Sequence, residues 1–168
     1  TYIPNSYKPH LKYKKKFNKK KLRIIYIGRF NHNHDIEIIL QSAKYFLYKK
    51  KINNIIFDIY GYGSKLPYIK NYIFKNNLTN VNLKGKIEKN KIHKTTKKYD
   101  LALATITNAK SFQFGLNLNK IYEYFNSSMP VIFSGNAPFN PVQQANCGYV
   151  CKNFNFLNLS KKILKFKK

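Results

Sequence analysis

Short apolar runs alternate with amphipathic segments along most of this chain. The amphipathic stretch at residues 35–49 repeats apolar side chains at helical spacing, with Asp35 as its expected N-cap. Parallel strands need long crossover connections, and helices supply them. The alternation therefore predicts an α/β domain with an open, doubly wound, parallel sheet of Rossmann-like type. The runs with the length and content of buried strands lie at residues 22–27 (LRIIYI), 55–60, 101–104 (LALA) and 131–133.

The remaining elements follow in the same alternation. Gly28 is expected to end the first strand, and Gly61-Tyr62-Gly63 to form a turn after the second. Residues 1–21 contain a lysine-rich stretch and are interpreted as a linker, which leaves residues 22–168 as the organised domain. Further helices are expected at residues 64–75, 89–98, 119–125, 141–145 and 157–166, and further strands at 81–83 and, at a sheet edge, 149–151.

The charge balance permits three interpretations. The chain has 32 Lys and Arg against six Asp and Glu, a formal net charge of +26. A surface of this kind attracts an anionic membrane face or nucleic acid. Only Arg23 and Arg29 are arginines, which disfavours nucleic acid because base and phosphate readout use the guanidinium fork. Codons rich in A and T would raise Lys, Asn, Ile, Tyr and Phe together without any functional cause.

Few features indicate a metal, a disulfide or a secreted protein. Cys147 and Cys151 lie four residues apart without the His or Cys partners of a zinc site, and two thiols make no disulfide framework. The chain start has no apolar signal region, and no apolar run approaches the roughly 20 residues of a membrane span. We therefore expect reduced cysteines, no bound metal or cofactor, and a cytoplasmic protein that could attach peripherally to the inner membrane face.

The carboxyl ends of the strands carry the candidate ligand-binding residues, because open parallel sheets bind ligands at that edge. Gly28 and Arg29 follow the first strand, Gly61 and Gly63 the second, and Lys86 the third. A guanidinium directly after a strand-ending glycine is suited to a diphosphate. The glycines have an equally simple structural explanation, which is a tight exit from each strand.

Other motifs narrow the choice of function. Neither GxxxxGK[ST] nor GxGxxG occurs, which argues against a P-loop NTPase and against a dinucleotide-binding domain. His32 and His34 are expected to face solvent in a loop. Glu123 is one of only six acidic residues and lies just before the strand at 131–133, which suggests a functional carboxylate.

Five ordered blocks resemble a known family. The resemblance spans residues 2–166 and implies the C-terminal, nucleotide-sugar-binding half of a GT-B glycosyltransferase of family 4. The form NK-x-x-E-Y is similar to the bacterial branch that builds surface polysaccharides on lipid carriers. YIPNSY looks like the family's crossover from its N-terminal domain, so residues 1–21 would be crossover and linker and the acceptor domain would be absent. The blocks are YIGRFNHNHDIEIILQSAKYF, FDIYGYGSKLPYIKNYI, NVNLKGKIEKNKIHKTTKKYDLALA, GLNLNKIYEYFNSSMPVIFSG and ANCGYV.

The resemblance implies which residues bind the diphosphate. Gly28 and Arg29 match the glycine and arginine that meet the donor diphosphate in the family. Asn119 and Lys120 fit beside the phosphates, with Lys120 as a point charge for the leaving nucleoside diphosphate. Arg29 and Lys120 are therefore the expected catalytic residues.

The resemblance also implies how the nucleoside is held. Glu123 matches the second glutamate of the family's motif, which binds the ribose hydroxyls, and one carboxylate can accept from two vicinal hydroxyls. Gly61 and Gly63 match the turn flanking the base, and Lys86 with Ile87 match the backbone segment that reads the base edge.

Two positions depart from the family pattern. The usual phosphate-binding lysine aligns with His34, and the first glutamate of the motif, eight residues before Glu123, aligns with Gly115. The first departure removes a permanent positive charge and the second a contact to the donor sugar.

The resemblance thus implies the donor-binding half of a retaining glycosyltransferase of hexosyltransferase type, in cell-surface polysaccharide synthesis. Its partners would be a nucleotide-sugar, with UDP as the expected carrier, and a lipid-linked or glycan acceptor. The isolated chain would bind without turnover. A basic module that docks on anionic membrane or RNA is the alternative from a different class.

Overall fold

A single parallel sheet organises the molecule. The computed structural model describes residues 20–108, 110, 112, 116, 118–152 and 154–167, and every structural statement below refers to these. The six strands of the sheet stand in the order β3-β2-β1-β4-β5-β6, with every neighbouring pair parallel. The predicted fold class is confirmed, and β6 lies at an edge as expected.

The bounds of the elements follow the predicted order. The strands are β1 (Leu22–Arg29), β2 (Ile55–Tyr62), β3 (Val81–Gly85), β4 (Leu101–Thr105), β5 (Val131–Ser134) and β6 (Gly148–Cys151). The helices are α1 (Glu37–Lys44), α2 (Leu66–Lys75), α3 (Lys89–Thr96), α4 (Asn119–Asn126), α5 (Pro141–Gln144) and α6 (Phe156–Lys167). The predicted linker falls almost wholly on residues 1–19, outside the described part of the chain.

Side chains on alternate faces of the strands build two hydrophobic cores. On β1, Ile24 joins the core covered by α1, α2 and α6, whereas Ile25 joins the core covered by α4 and α5. On β4, Leu101 and Ala102 divide between the two cores in the same way. The sheet is therefore covered on both faces, which is why its strands read as continuous apolar runs.

The first two strands extend further than the sequence predicted. Gly28 pairs with Gly61 and Arg29 with Tyr62, so β1 and β2 continue two residues beyond the expected ends at Ile27 and Tyr60. The expectation that Gly28 ends β1, and that residues 61–63 are purely a turn, is wrong. Facing glycines let the two backbones stay paired up to the sheet edge.

The first helix changes its winding part of the way along. The predicted helix over residues 35–49 consists of α1 followed by a π-helical segment, Tyr45–Lys49. Asp35 lies before the helix, and its Oδ1 accepts a hydrogen bond of 3.3 Å from the amide of Ile38. The prediction of Asp35 as the N-cap is wrong by one residue, since Ile36 is the N-cap and Asp35 precedes it, although the Asp35 carboxylate still accepts from the first turn of α1.

The sheet opens between β1 and β4. Their pairing is confined to three residue pairs, from Ile24 with Leu101 to Tyr26 with Leu103, whereas the pairing of β1 with β2 continues to Arg29. This gap lies where the strand order reverses from β3-β2-β1 to β4-β5-β6, the position at which doubly wound sheets form ligand crevices.

Two further observations concern general properties. No helix in the described residues combines the length and apolar character needed to cross a bilayer. Cys147 and Cys151 are both free thiols, as predicted, and Cys151 is buried.

Candidate functional site

Two adjoining cavities open at the carboxyl edge of the sheet. The larger has a volume of about 700 Å³ and the smaller about 400 Å³, and they share Ile27, Gly28, Arg29 and Lys89 in their walls. The larger cavity is also lined by Gly61, Tyr62 and Lys86 to Asn90, and the smaller by His34, Ile92, Leu118 to Lys120, Glu123 and Tyr124.

The structure gathers nearly all of the predicted site residues around these cavities. Gly28 and Arg29 lie at the junction, Gly61, Lys86 and Ile87 line the larger cavity, and Asn119, Lys120 and Glu123 line the smaller. Gly63 lies beyond the larger cavity, where a Cβ would come within 2.4 Å of the carbonyl oxygen of Phe30. Close packing thus explains Gly63 structurally. Gly115 lies outside the described residues.

An aromatic ring with two cations forms one wall of the larger cavity. Tyr62 is 45% exposed at the end of β2. The Arg29 guanidinium lies 5.9 Å from the centre of its ring and the Lys86 ammonium 5.3 Å. This wall combines a planar surface with two positive charges, so it suits a planar, anionic ligand.

A lysine with an aromatic partner dominates the smaller cavity. Lys120 is on the first turn of α4, and its Nζ lies 4.5 Å from the centre of the Tyr26 ring and 3.3 Å from the Tyr26 hydroxyl. Tyr26 is 1% exposed and comes from β1, so this contact joins α4 to the central strand.

Burial alters the titration of the basic groups in this cavity. Burial lowers the pKa of Lys120 to about 7, so a large fraction of this lysine is neutral in the unliganded protein at neutral pH. Burial, followed by the nearby Lys120 charge, lowers the pKa of His34 to about 4. His34 is therefore neutral at neutral pH, and protonation of Lys120 adds to the positive charge that Arg29 already gives the smaller cavity.

The placement of His34 corrects the sequence analysis. His34 was expected to face solvent with His32, yet His32 is exposed and His34 is half-buried. The Nδ1 of His34 lies 3.3 Å from the carbonyl oxygen of Thr105, and the amide of Thr107 donates to the carbonyl oxygen of Asn33 at 3.1 Å. The loop after β1 thus lies against the end of β4, which brings His34 into the cavity.

Close packing explains the two facing glycines. A Cβ on Gly61, which has φ +156°, would come within 2.0 Å of the carbonyl oxygen of Gly28. A Cβ on Gly28 would come within 2.6 Å of the Lys120 Nζ and 2.7 Å of the Tyr26 hydroxyl. Gly28 therefore leaves the space in which the Lys120–Tyr26 contact forms, and Gly61 lets β1 and β2 approach.

The helix α4 carries the acidic group of the site. Glu123 is half-buried one turn after Lys120, on the same helix face. The N-cap residue Leu118 has extended backbone angles and provides no side-chain hydrogen bond to the first turn of α4. Residues 118–120 line the smaller cavity, so the partial positive charge at the amino end of α4 lies against it.

Sequence reasoning missed three tyrosines. Tyr62 stands between the two predicted glycines, Tyr26 precedes Gly28 by two residues on the same strand face, and Tyr124 follows Lys120 by one helical turn. The sequence shows that each tyrosine lies near a predicted site residue. It does not show the contacts of Tyr26 and Tyr124, because these join segments more than 90 residues apart. No group of three or more His, Cys, Asp or Glu suited to a metal ion occurs among the residues that the structure describes.

Comparison with protein families gives one clear match. The family model described as glycosyl transferases group 1 matches residues 8–168. A search of curated proteins gives no match.

Several solved structures are similar to this chain. TarM from S. aureus, as a point mutant in complex with fondaparinux, α-GlcNAc-glycerol and UDP, is 26% identical with a TM-score of 0.73 over 96% of this chain and 31% of TarM. The catalytic domain of the Helicobacter pylori cholesterol-α-glucosyltransferase is 16% identical with a TM-score of 0.69, over 86% of this chain and 85% of that domain. The lipopolysaccharide outer core galactosyltransferase WaaB is 15% identical with a TM-score of 0.72, over 98% and 45%. The present chain thus spans about a third of the length of TarM.

Proposed function

The chain belongs to the group 1 glycosyl transferases, and we propose that it is the domain of a retaining GT-B transferase, of family 4 and hexosyltransferase type, that binds the nucleotide-sugar donor. The fold supports this proposal, since the sheet and its helices match the C-terminal domains of GT-B glycosyltransferases. The complex of TarM with UDP supports UDP as the carrier, since the similarity to TarM covers 96% of the present chain.

The two cavities suggest how the donor lies. The larger one would take the base, with Tyr62 as a planar surface and the Lys86-Ile87 backbone at the base edge. The ribose would lie toward Glu123, and the diphosphate at the junction, between Arg29 and Lys120. This placement puts each charge of the ligand opposite a group of suitable chemistry.

The same groups would stabilise the leaving group. When the bond between sugar and diphosphate breaks, negative charge grows on the phosphate oxygen. Arg29 carries a permanent charge, and Lys120 would become fully protonated beside the phosphates despite its burial. The amino end of α4 would add its dipole. His34, neutral through burial, would contribute a hydrogen bond and no charge.

The stereochemical outcome and the acceptor are also proposals. TarM was solved with both UDP and α-GlcNAc-glycerol. Formation of such an α-linked glycoside from UDP-activated GlcNAc, which is itself α-linked, would retain configuration, and we propose retention for this chain. We further propose a lipid-linked or glycan acceptor in surface polysaccharide synthesis, reached by a cytoplasmic protein at the inner membrane face. The acceptor would be bound largely outside this chain, so residues 1–168 alone would bind donor without transfer.

One observation carries the proposal: the Arg29 guanidinium from β1 lines the smaller cavity together with the Lys120 side chain and the Glu123 carboxylate from α4, and Arg29 is shared by both cavities. Glu123→Gln tests it. The amide keeps the size of the side chain, but it replaces the charged carboxylate that would accept hydrogen bonds from both ribose hydroxyls. Calorimetry should show a free energy of UDP binding that is less favourable by about 1.5–3 kcal/mol, the range for hydrogen bonds to a charged group.

The matched control is Glu37→Gln. Glu37 is a half-buried helical glutamate that pairs with Lys65 at 2.7 Å, away from both cavities. This variant should bind UDP like the wild type. Equal affinity of a folded Glu123→Gln would remove the ribose assignment. Wild-type protein that binds RNA or anionic vesicles in a salt-sensitive way, but no nucleotide, would favour the basic-module alternative.

A further inference from the structure

The hydroxyl of Tyr124 lies where the sheet opens. The pairing of β1 with β4 ends at Tyr26 and Leu103. The next amide of β1, that of Ile27, donates to the Tyr124 hydroxyl at 2.8 Å. The same hydroxyl donates to the carbonyl oxygen of Leu103 at 3.3 Å. A helix side chain thus bridges the two strands at the point where their own pairing ends.

The bridge is buried and chemically well suited to its place. Tyr124 has no exposed surface in the described structure. Burial raises the pKa of the Tyr124 hydroxyl, so it keeps its proton and serves as both donor and acceptor. Without this oxygen, the amide of the half-buried Ile27 and the carbonyl of the buried Leu103 would lose a partner, which is costly away from water.

Tyr124 links the two halves of the smaller cavity. Its helix α4 also carries Lys120 and Glu123, while Ile27 is followed directly by Gly28 and Arg29 on β1. A second contact runs the opposite way, from Lys120 on α4 to Tyr26 on β1. The two contacts together hold α4 at one distance from the end of β1.

We propose that Tyr124 is a positioning residue, whose hydroxyl fixes the Gly28–Arg29 backbone relative to Lys120 and Glu123 by bridging β1 and β4 at the sheet opening. Its effect on ligand binding rests on the proposed function. The bridge itself does not, because it can be measured in the protein without any ligand. The expected ligand effect falls on the diphosphate, since Arg29 and Lys120 are the groups that the bridge aligns.

Tyr124→Phe removes this oxygen and keeps the ring. The matched control is Tyr99→Phe. Tyr99 is also a buried tyrosine with two hydroxyl contacts, to Asp58 at 2.8 Å and Tyr60 at 3.1 Å, but it precedes β4 at the opposite edge of the sheet. Both variants should lose comparable stability. Only Tyr124→Phe should speed hydrogen exchange at the Ile27 amide, by about tenfold or more, as local opening becomes easier.

Binding measurements complete the test. At a temperature where both variants are fully folded, Tyr124→Phe should bind UDP about tenfold more weakly, with a smaller loss for uridine, while Tyr99→Phe should match the wild type. Unchanged exchange at Ile27 would overturn the inference. Faster exchange with unchanged UDP affinity would also overturn it, because the bridge would then not align the site. If wild-type protein binds no UDP, the donor assignment fails, and exchange at Ile27 still decides whether the bridge exists.

Discussion

The two ends of β1 each carry an arginine, and the two arginines have opposite surroundings. At the start of the strand, the Arg23 guanidinium pairs with the buried Asp58 at 3.1 Å and lies 4.9 Å from the centre of the Tyr99 ring. At the end of the strand, no carboxylate of the described residues forms an ion pair with Arg29, and its guanidinium borders both cavities.

At the start of β1, the charged groups are paired with one another in a hydrogen-bond network around Asp58. Asp58 accepts hydrogen bonds from Arg23, from Asn82 at 2.6 Å and from Tyr99 at 2.8 Å. Burial tends to raise the pKa of Asp58, but these hydrogen bonds outweigh burial and leave its pKa below the usual range. The charge of Asp58 is balanced within the fold, whereas Arg29 forms no ion pair with a carboxylate of the described residues, and the proposed function pairs it with a diphosphate. The contrast predicts a structural role for Arg23 and a binding role for Arg29.

Replacing each arginine by alanine tests this contrast most strongly. Arg29→Ala should weaken UDP binding about a hundredfold, or ~2.7 kcal/mol, because it removes a charged fork from the diphosphate, and uridine binding should change far less. Arg23→Ala should leave UDP affinity unchanged and lower the free energy of unfolding by about 2 kcal/mol. Calorimetry and urea unfolding give the two quantities. Equal losses for UDP and uridine in Arg29→Ala would mean that Arg29 only supports its loop.

The pH dependence of binding should differ from that of stability. Since the pKa of Lys120 is about 7 in the free protein and a bound diphosphate favours the protonated form, the complex has the higher pKa. UDP affinity should therefore fall as pH rises above 7, by up to about tenfold per unit, or ~1.4 kcal/mol. Titration calorimetry in buffers of different ionisation enthalpy should show proton uptake. Lys120→Met should bind weakly with a flat profile from pH 7 to 9, and a slope that persists there would assign the proton elsewhere.

The network around Asp58 at the start of β1 should make the stability of the protein sensitive to acid. The folded-state pKa of Asp58 is lowered, so its stabilising effect is complete above the pKa of the unfolded chain and is lost as pH falls through the folded value. Wild-type protein should therefore lose stability below about pH 4. In Asp58→Asn this loss should be smaller by about 1 kcal/mol, the scale of one hydrogen bond, in urea unfolding at pH 3 and 5. Identical acid sensitivity in both proteins would move the effect to another carboxylate.

Much of the architecture was predictable because burial leaves a periodic pattern. The run at residues 22–27 and the helical spacing after Asp35 gave the order of elements, and the order gave a parallel sheet with its site at the carboxyl edge. Arg29 could be placed near that edge because it follows a recognisable strand, whereas Glu123 was assigned to the site only through the family resemblance. The ends of β1 and β2 could not be predicted. A glycine ordinarily interrupts a strand, but here Gly28 and Gly61 pair with each other.

The details of the site were not predictable from local pattern. Lys120 reaches Tyr26 across 94 positions of sequence, and Ile27 reaches Tyr124 across 97. Such contacts depend on how two elements meet in space, which no spacing rule encodes. His34 was misplaced for the same reason, because its burial arises from the end of β4 and not from its own loop.

The facing glycines bear on how relatives of this chain should be compared. At position 61 the carbonyl of Gly28 excludes any Cβ, so glycine there reflects the fold and not the ligand. At position 28 it reflects the lysine and tyrosine that fill the space. Tyr62 and Lys86 are under neither constraint and face the larger cavity. If the larger cavity takes the base, as proposed, substitutions at 62 and 86 would change the choice of nucleotide without altering the sheet, and these two positions, rather than the glycines, should sort homologues by donor.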